Sequence, residues 1–222
     1  MDLAPEDERN GLGFQATSLC FLRERPAPGS KKRAIVRKLK QMPARAVLVF
    51  EDETILRLLP ELRRAWSKRG EQAVVPITGQ NAKRVLYGTI NMHTGHRVVS
   101  IEPNLRQEHF QAFLRRLRHC YRGREIWMIL DRASGHVTLQ SQALARELKI
   151  TLIWLPRQCS ELNAMDQFWK GLKDQISANY QFKHIDKHAA WAKQWTLSLT
   201  PSQSLRLASI LSEDFWLKSF LP

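Results

Sequence analysis

An aspartate follows an uninterrupted apolar stretch in residues 126–136, which read IWMILDRASGH. Five apolar residues have the length of a buried strand, so the sequence predicts that Asp131 stands at the end of one. The same combination occurs at residues 47–53, where VLVF is followed at once by the acids EDE. A third apolar stretch, TLIWL at 151–155, leads towards a predicted helix that carries Asp166. Three elements are therefore each predicted to deliver a carboxylate.

Acidic side chains gathered in one place repel one another, and they bind hard divalent cations through oxygen. In open α/β sheets, sites form beyond the carboxyl ends of the strands, where these acids are predicted to lie. A pair of such cations, roughly 3.5–4 Å apart, stabilises the attacking and leaving oxygens of phosphoryl transfer. The pattern therefore favours metal-dependent chemistry on a phosphate ester.

The charge of the chain narrows the choice of phosphate ester. Its 222 residues include 35 Lys and Arg against 21 Asp and Glu, a formal net charge of +14. Such an excess favours a nucleic acid as partner, although a basic soluble surface without a partner is the alternative. The three cysteines form no CxxC pair, so neither a disulfide framework nor a thiolate metal site is expected. No apolar stretch reaches about 18 residues and no signal peptide is recognisable, so we expect a cytoplasmic protein without a membrane partner.

Apolar periodicity predicts the elements that position the acids. Residues 84–90 and 96–102 flank a turn and predict a β-hairpin. Together with the apolar stretches, this order predicts an α/β fold with a mixed sheet, whose central strands are covered on both faces. Amphipathic patterns predict helices at 108–120, 137–148 and 162–176, and a helical tail at about 183–222.

Some of these residues also have an explanation that needs no metal. Asp131 could simply start the turn after its strand, because Asp is favoured in turns. His136 could be an ordinary turn histidine. Within EDE, two of the acids could be solvated only, and the sequence does not rank Asp52 against Glu51 and Glu53.

Asp166 has the strongest alternative explanation. Asn163 could be the N-cap of the helix, with Asp166 as the acid of a capping box three residues later. Asp166 could also pair with Lys170 one helical turn further on. Both roles are compatible with metal binding, so these alternatives stay open.

Residues 47–180 resemble the catalytic domain of mariner-type DDE transposases, in particular of their bacterial insertion-sequence branch. The first acid of that family lies in an Asp-Glu pair after an apolar strand, which matches Asp52 and Glu53. The second begins an Asp-Asn-Ala-x-x-His motif, which matches Asp131 and His136. Further matching residues are Trp66, Gly70, Ala133, Leu155, Pro156, Glu161, Leu162, Asn163 and Trp169, with Asp166 in the third acid position.

The chain departs from the family pattern in the second and third motifs. Arg132 stands where the family has Asn. Arg157, Ser160 and Ala164 stand where the family has proline. The bacterial branch usually has glutamate at the position of Asp166. Mariner relatives have aspartate there, as this chain does.

The resemblance implies a ribonuclease H-like mixed sheet flanked by helices, with a helical C-terminal tail. It implies that Asp52, Asp131 and Asp166 are catalytic and bind two Mg²⁺ or Mn²⁺ ions. Glu53, His136 and Asn163 would lie next to these ligands and help to position them, without binding the metal ions themselves. The implied activity is DNA end cleavage and strand transfer by an insertion-sequence transposase. A decayed, inactive DNA-binding remnant and a structure-selective nuclease of the same fold are the alternatives.

We expect three regions in the chain. Residues 1–45 would be a basic arm, 46–180 the catalytic domain and 181–222 a helical extension. The basic residues of the arm could contact DNA phosphates or form a solvated face. The expected DNA-binding residues are Lys31, Lys32, Arg33 and Lys38 in the arm, and Lys170 and Lys173 on the helix after Asp166.

The resemblance also implies partners. Transposases of this type carry a helix-turn-helix domain ahead of the catalytic domain, and about 45 residues are too few for two such units. We therefore expect that this domain is encoded separately or lost, and that the chain alone binds DNA weakly, with little sequence preference. The expected assembly is a homodimer on element ends and target DNA, associated with the bacterial nucleoid.

Overall fold

The computed structural model describes residues 28–221, with side chains from residue 32 onwards. Every helix and strand predicted between residues 47 and 176 is present, and most bounds agree within two residues. No helix in this part of the chain is long and apolar enough to cross a membrane. The elements are α1 (Pro28–Leu39), β1 (Val47–Arg57), β2 (Lys83–Asn91), β3 (Arg97–Glu102), α2 (Gln107–Cys120), β4 (Ile126–Leu130), α3 (Leu139–Glu147), β5 (Ile150–Trp154), α4 (Ala164–Ile176), α5 (Ile185–Ser198) and α6 (Pro201–Leu207).

The five strands form one mixed sheet in the order β3-β2-β1-β4-β5. β1, β4 and β5 run parallel, whereas β2 pairs antiparallel with both β1 and β3. The hairpin and the mixed sheet are therefore as predicted. Parallel pairing of β1 with β4 ends at Phe50 and Ile129. The residues that follow these two therefore lie at the carboxyl edge of the parallel strands.

Strand β1 is longer than the sequence predicted. We expected it to end at Phe50, but it continues through all three acids to Arg57. The prediction was wrong because acidic residues are unfavourable in strands, while here antiparallel pairing with β2 continues as far as Lys83. Asp52 therefore lies inside a strand.

Side chains along β1 alternate between two apolar cores, one on each face of the sheet. Leu48 and Phe50 belong to the core formed with α1, α4, α5 and the C-terminal residues. Val47 and Val49 belong to the core formed with α2 and α3. The same alternation places Asp52 on the α4 face, and it places Glu51 and Glu53 on the opposite face.

Helix α4 lies close against the sheet because one strand residue has no side chain. Gly88 of β2 is directly opposite Asp52 in the register. A Cβ atom at Gly88 would overlap the indole ring of Trp169, so the missing side chain makes the close approach possible. Trp169 lies one helical turn beyond Asp166. This contact therefore sets how far α4 stands from β1.

The C-terminal residues complete the core on the α4 face. Helix α5 buries Ile185, Ala189 and Ala192 there. Beyond α6, the Trp216 indole donates a hydrogen bond to the carbonyl of Leu162, at 2.9 Å. The residues after 180 thus pack directly on the elements that carry the acids.

Candidate functional site

The three acids that the sequence singled out line one cleft of about 400 Å³. Asp52 comes from β1, Asp131 follows β4 directly, and Asp166 lies in the first turn of α4. A neighbouring cavity of about 510 Å³ shares Asp52 and Asp166 and is also lined by Lys170 and Lys173. The structure therefore brings together the strand and helix acids that are far apart in sequence.

The environment of Asp52 disfavours its ionised form. Burial is the main cause, and the nearby charges of Glu53, Asp131 and Asp166 add to it, so the pKa of Asp52 rises to about 8. Carboxylates that raise one another's pKa in this way lack a compensating positive charge. A divalent cation bound between them would supply that charge.

Asp131 is held by one of its two carboxylate oxygens. Its Oδ1 accepts a hydrogen bond from the backbone N–H of Ala133 at 2.9 Å and lies 3.0 Å from Nδ1 of His136. The hydrogen bond from His136 lowers the pKa of Asp131, although partial burial opposes this. In the described part of the chain Oδ2 has no hydrogen-bond partner, so the turn leaves this oxygen available as a ligand.

Asp166 is presented by the start of α4. The Asn163 side chain caps the helix by accepting from the N–H of Met165 at 3.1 Å, and its Nδ2 donates to the carbonyl of Glu51 at 2.8 Å. Asn163 therefore ties the helix to β1. The expected N-cap is present, but within residues 32–221 the Asp166 carboxylate neither closes a capping box nor pairs with Lys170.

His136 lies behind the acids and is 1% exposed. Its Nε2 is 2.8 Å from Oε1 of Glu53, while its Nδ1 faces Asp131. Ionised carboxylates only accept hydrogen bonds, so both ring nitrogens must carry protons. Burial alone would lower the pKa of His136, but the charge of Glu51 and the hydrogen bonds to Asp131 and Glu53 raise it to about 11.

Glu51 is a part of this cluster that the sequence did not single out. Its side chain is fully buried, and neither oxygen has a hydrogen-bond partner among the described residues. Burial, followed by the charge of Glu53, raises its pKa well above the usual value. Strand alternation could have revealed it, because residues 51 and 53 share the face opposite Asp52 once β1 is extended.

The ligand atoms of Glu51, Glu53 and His136 all lie within 4.8 Å of one another. Taken alone, this grouping could hold a metal ion. A doubly protonated imidazole has no free nitrogen lone pair, however, so we interpret the group as a charge cluster that fixes Asp131. The three aspartates in the cleft are the better candidate ligands.

The predicted DNA-binding residues fall into two groups. Lys170 and Lys173 lie beside the acids, and Lys173 is 3.7 Å from Glu61. Lys32, Arg33 and Lys38 lie on α1 and line neither cavity that contains the acids, while the Lys31 side chain lies outside the described residues. Two other cations line the acid cleft without having been predicted as site residues, namely Arg132 and Arg157.

Comparison with known proteins places this geometry in a family. The model of the DDE superfamily endonucleases matches residues 47–188. An uncharacterized 39 kDa protein of insertion element IS630 from Shigella sonnei is 30% identical over 159 residues, covering 70% of this chain and 46% of that protein. The chain thus spans about half the length of this relative.

Solved structures agree with the predicted fold. The Mos1 transposase paired-end complex with the left transposon end superposes with a TM-score of 0.66 at 14% identity, covering 95% of this chain and 66% of that one. The Mos1 mariner paired-end complex with Mn also gives a TM-score of 0.66, at 13% identity, covering 95% of this chain and 67% of that one. At such identities the likeness concerns the fold, and it confirms the ribonuclease H-like prediction. Because the family model spans more than half of the sequence, the chain belongs to the DDE superfamily endonucleases.

Proposed function

We propose that this chain is the catalytic part of an insertion-element transposase, which cuts DNA at the element ends and joins the freed 3′-hydroxyl to target DNA. The convergence of Asp52, Asp131 and Asp166 in one cleft is the observation that carries the proposal. The net charge of +14 supports a polyanionic substrate. The likeness to an insertion-element protein and to transposases solved with transposon ends supports DNA as that substrate.

The proposed cofactors are two Mg²⁺ or Mn²⁺ ions held by the three aspartates. The donor set fits, because it consists of carboxylate oxygens, which these hard cations prefer. The raised pKa of Asp52 supports the same assignment, since it reflects crowded negative charge that a cation would relieve. When bound, such ions would lower the pKa of the attacking water or hydroxyl and stabilise negative charge in the transition state.

The protein's own residues would orient the reaction. His136 fixes one oxygen of Asp131 and leaves the other towards the cleft. Asn163 fixes α4 against β1 and thereby the position of Asp166. Lys170 and Lys173 would contact DNA phosphates next to the acids. Lys31, Lys32, Arg33 and Lys38 of α1 would add contacts that do not depend on sequence.

The first test replaces each acid by its uncharged isostere. We expect Asp52→Asn, Asp131→Asn and Asp166→Asn each to reduce Mn²⁺-dependent cleavage of DNA by at least about a hundredfold, the typical effect of losing one group that stabilises transition-state charge. Asp214→Asn is the matched control, because Asp214 is exposed and lines neither acid-containing cavity. Cleavage is measured on labelled duplexes. Full activity in one of the three variants would remove that residue from the site.

The products separate the proposed transposase from the two alternatives. Strand-transfer products joined to target DNA support a transposase. Cleavage without joining would indicate a nuclease of the same fold. A folded wild-type protein that binds DNA but cuts none in Mn²⁺ would indicate an inactive remnant.

We further propose that the active assembly is a homodimer on DNA. The paired-end arrangement of the Mos1 relative supports the dimer. Light scattering with and without DNA measures the stoichiometry. A single copy of the chain per DNA end pair under cleaving conditions would contradict it.

A further inference from the structure

A cavity that does not contain the acids lies at the outer edge of the sheet. β5 is the last strand in the sheet order, so no strand of residues 28–221 covers its outer side. The cavity, of about 430 Å³, lies between β5 and α3. Its apolar wall includes Ala145, Ile150 and Leu152, and Trp154 lines the end nearest to the acid cleft.

The lining of this cavity carries more positive than negative charge. Arg146 and Lys149 line it, beside the uncharged Gln142 and Thr151, and Glu125 is the one acidic residue among the described residues of the lining. Lys38 approaches from α1 and donates to the carbonyl of Leu152 at 3.2 Å. Within residues 32–221, none of these three cations has a carboxylate partner. Their charge is therefore available to an anionic ligand.

Arg132 connects the cavity with the acid cleft. Its guanidinium lies over the Trp154 ring, 5.6 Å from the ring centroid, which holds it in place by a cation–π interaction. The same arginine lines the cleft of the three aspartates, together with Arg157. Cations therefore extend from the acids to the outer edge of β5. Arg132 and Arg157 are also positions at which the chain departs from the family pattern.

We infer that Arg132, Arg157, Arg146, Lys149 and Lys38, together called the β5 rim, bind the phosphates of the DNA strand as it leaves the acid cleft. This inference rests on the proposed function and adds to it the path of the substrate. The cations are spread along a strand edge and not gathered around one point, which suits successive phosphates of a backbone better than a single anion. Trp154 and the apolar wall suit the sugars and bases between them.

Charge reversal at the far end of the rim tests the inference. Arg146→Glu with Lys149→Glu alters only residues outside the acid cleft. Arg115→Glu with Arg116→Glu on α2 is the matched control, because it changes the net charge equally and both residues are exposed and line neither cavity. Binding of a labelled 30-base-pair duplex is followed by fluorescence anisotropy between 50 and 200 mM NaCl. This readout needs no cleavage, so it is independent of the proposed activity.

We expect the rim variant to lose about tenfold in affinity near 0.1 M salt for each phosphate contact removed, and its salt dependence to become shallower by about 0.9 per contact. The control variant should keep both values near those of the wild type. Arg146→Ala with Lys149→Ala should change both values in the same direction as the reversal, with an unchanged circular dichroism spectrum. Equal losses in rim and control variants, or no loss in either, would overturn the inference.

Discussion

The acidic side chains at the carboxyl edge of the sheet couple folding stability to pH. Asp52 has a pKa of about 8 in the folded protein against an ordinary value of 3.8. Between these values the folded state keeps a proton that the unfolded state has lost, so stability falls as pH rises. His136 acts in the same direction, because its pKa of about 11 exceeds the ordinary 6.5. Its contribution is complete below pH 6.5 and is lost as pH approaches 11.

We predict that the cation-free protein melts at a lower temperature at pH 8 than at pH 5. Mn²⁺ should raise the melting temperature more at pH 8, because cations compete with the proton on Asp52. For a chain of this size, each kcal/mol corresponds to about 2–4 °C. Calorimetry at both pH values, with EDTA or Mn²⁺, measures the difference. Asp52→Asn should weaken both trends, and an equal effect of Mn²⁺ at the two pH values would contradict the prediction.

His136 is predicted to contribute strongly to stability, because it is the positive charge among three carboxylates. Removing one partner of a buried ion pair costs about 3–5 kcal/mol, so we expect a loss of that size for His136→Ala in urea unfolding. His184→Ala is the control, since His184 is exposed. Adding Glu51→Gln to His136→Ala should restore part of the loss, because without His136 the buried Glu51 must either carry an uncompensated charge or take up a proton. The absence of any restoration would argue against the charge cluster.

Glu51 shows which side chains could not be predicted from the sequence. Asp131 and Asp166 could be singled out because each follows a recognisable apolar pattern. A glutamate is normally solvated, so the sequence alone gave no reason to expect that Glu51 is buried without a hydrogen-bond partner among residues 32–221. The contacts of His136 with Glu53 and Asp131 depend on the folded loop after β4. The sequence could predict that Glu53 and His136 are neighbours of the site, but it could not predict the geometry of their contacts.

At the scale of elements, the contact between β2 and α4 determines the position of Asp166. Gly88→Ala would press a methyl group into the Trp169 ring and move α4 away from β1. We expect a loss of about 1–3 kcal/mol, as for other overpacked cores, together with reduced cleavage. Thermal unfolding and the DNA cleavage assay measure the two effects.

A double variant checks this explanation. Trp169→Leu removes the ring that the methyl group would meet, so Gly88→Ala should cost less in that background than alone. Additive effects of the two substitutions would mean that Gly88 has another role, such as supporting the local strand conformation.

The elements themselves were largely predictable, for a physical reason. IWMIL at β4 is buried on both faces, and such strands are continuous apolar stretches that need no alternation to be recognised. β1 was predicted too short, because its last seven residues are stabilised by pairing with β2 and not by their own composition. Pairing between distant segments is the information that a local pattern lacks.

At the scale of the whole molecule, we predict that the chain does not fold without its C-terminal residues. The sequence suggested an extension at 181–222, and this division stays a prediction. Truncation after Tyr180 would remove α5 and uncover the apolar face of α4. The fragment 1–180 should then bind the dye ANS and lose its near-ultraviolet circular dichroism, as loosely packed chains do.

The truncation also has a clear contrary outcome. A fragment 1–180 that unfolds cooperatively, with a melting temperature close to that of the full chain, would make residues 181–222 a separate appendage. Leu217→Ala in the full chain provides an intermediate case, because Leu217 is fully buried. It should lower stability without preventing folding, by about 2–5 kcal/mol.

The hydrogen bond from Lys38 to Leu152 has a consequence for solubility. An open strand edge presents unpaired backbone groups, and a second protein molecule can add its own strand there, which begins aggregation. Lys38 occupies one outward carbonyl of β5 and places a charge beside it. A charged side chain at this position disfavours the approach of a neutral strand from another copy. We therefore expect the basic helix before the sheet to help keep concentrated protein dispersed, whether or not DNA is present.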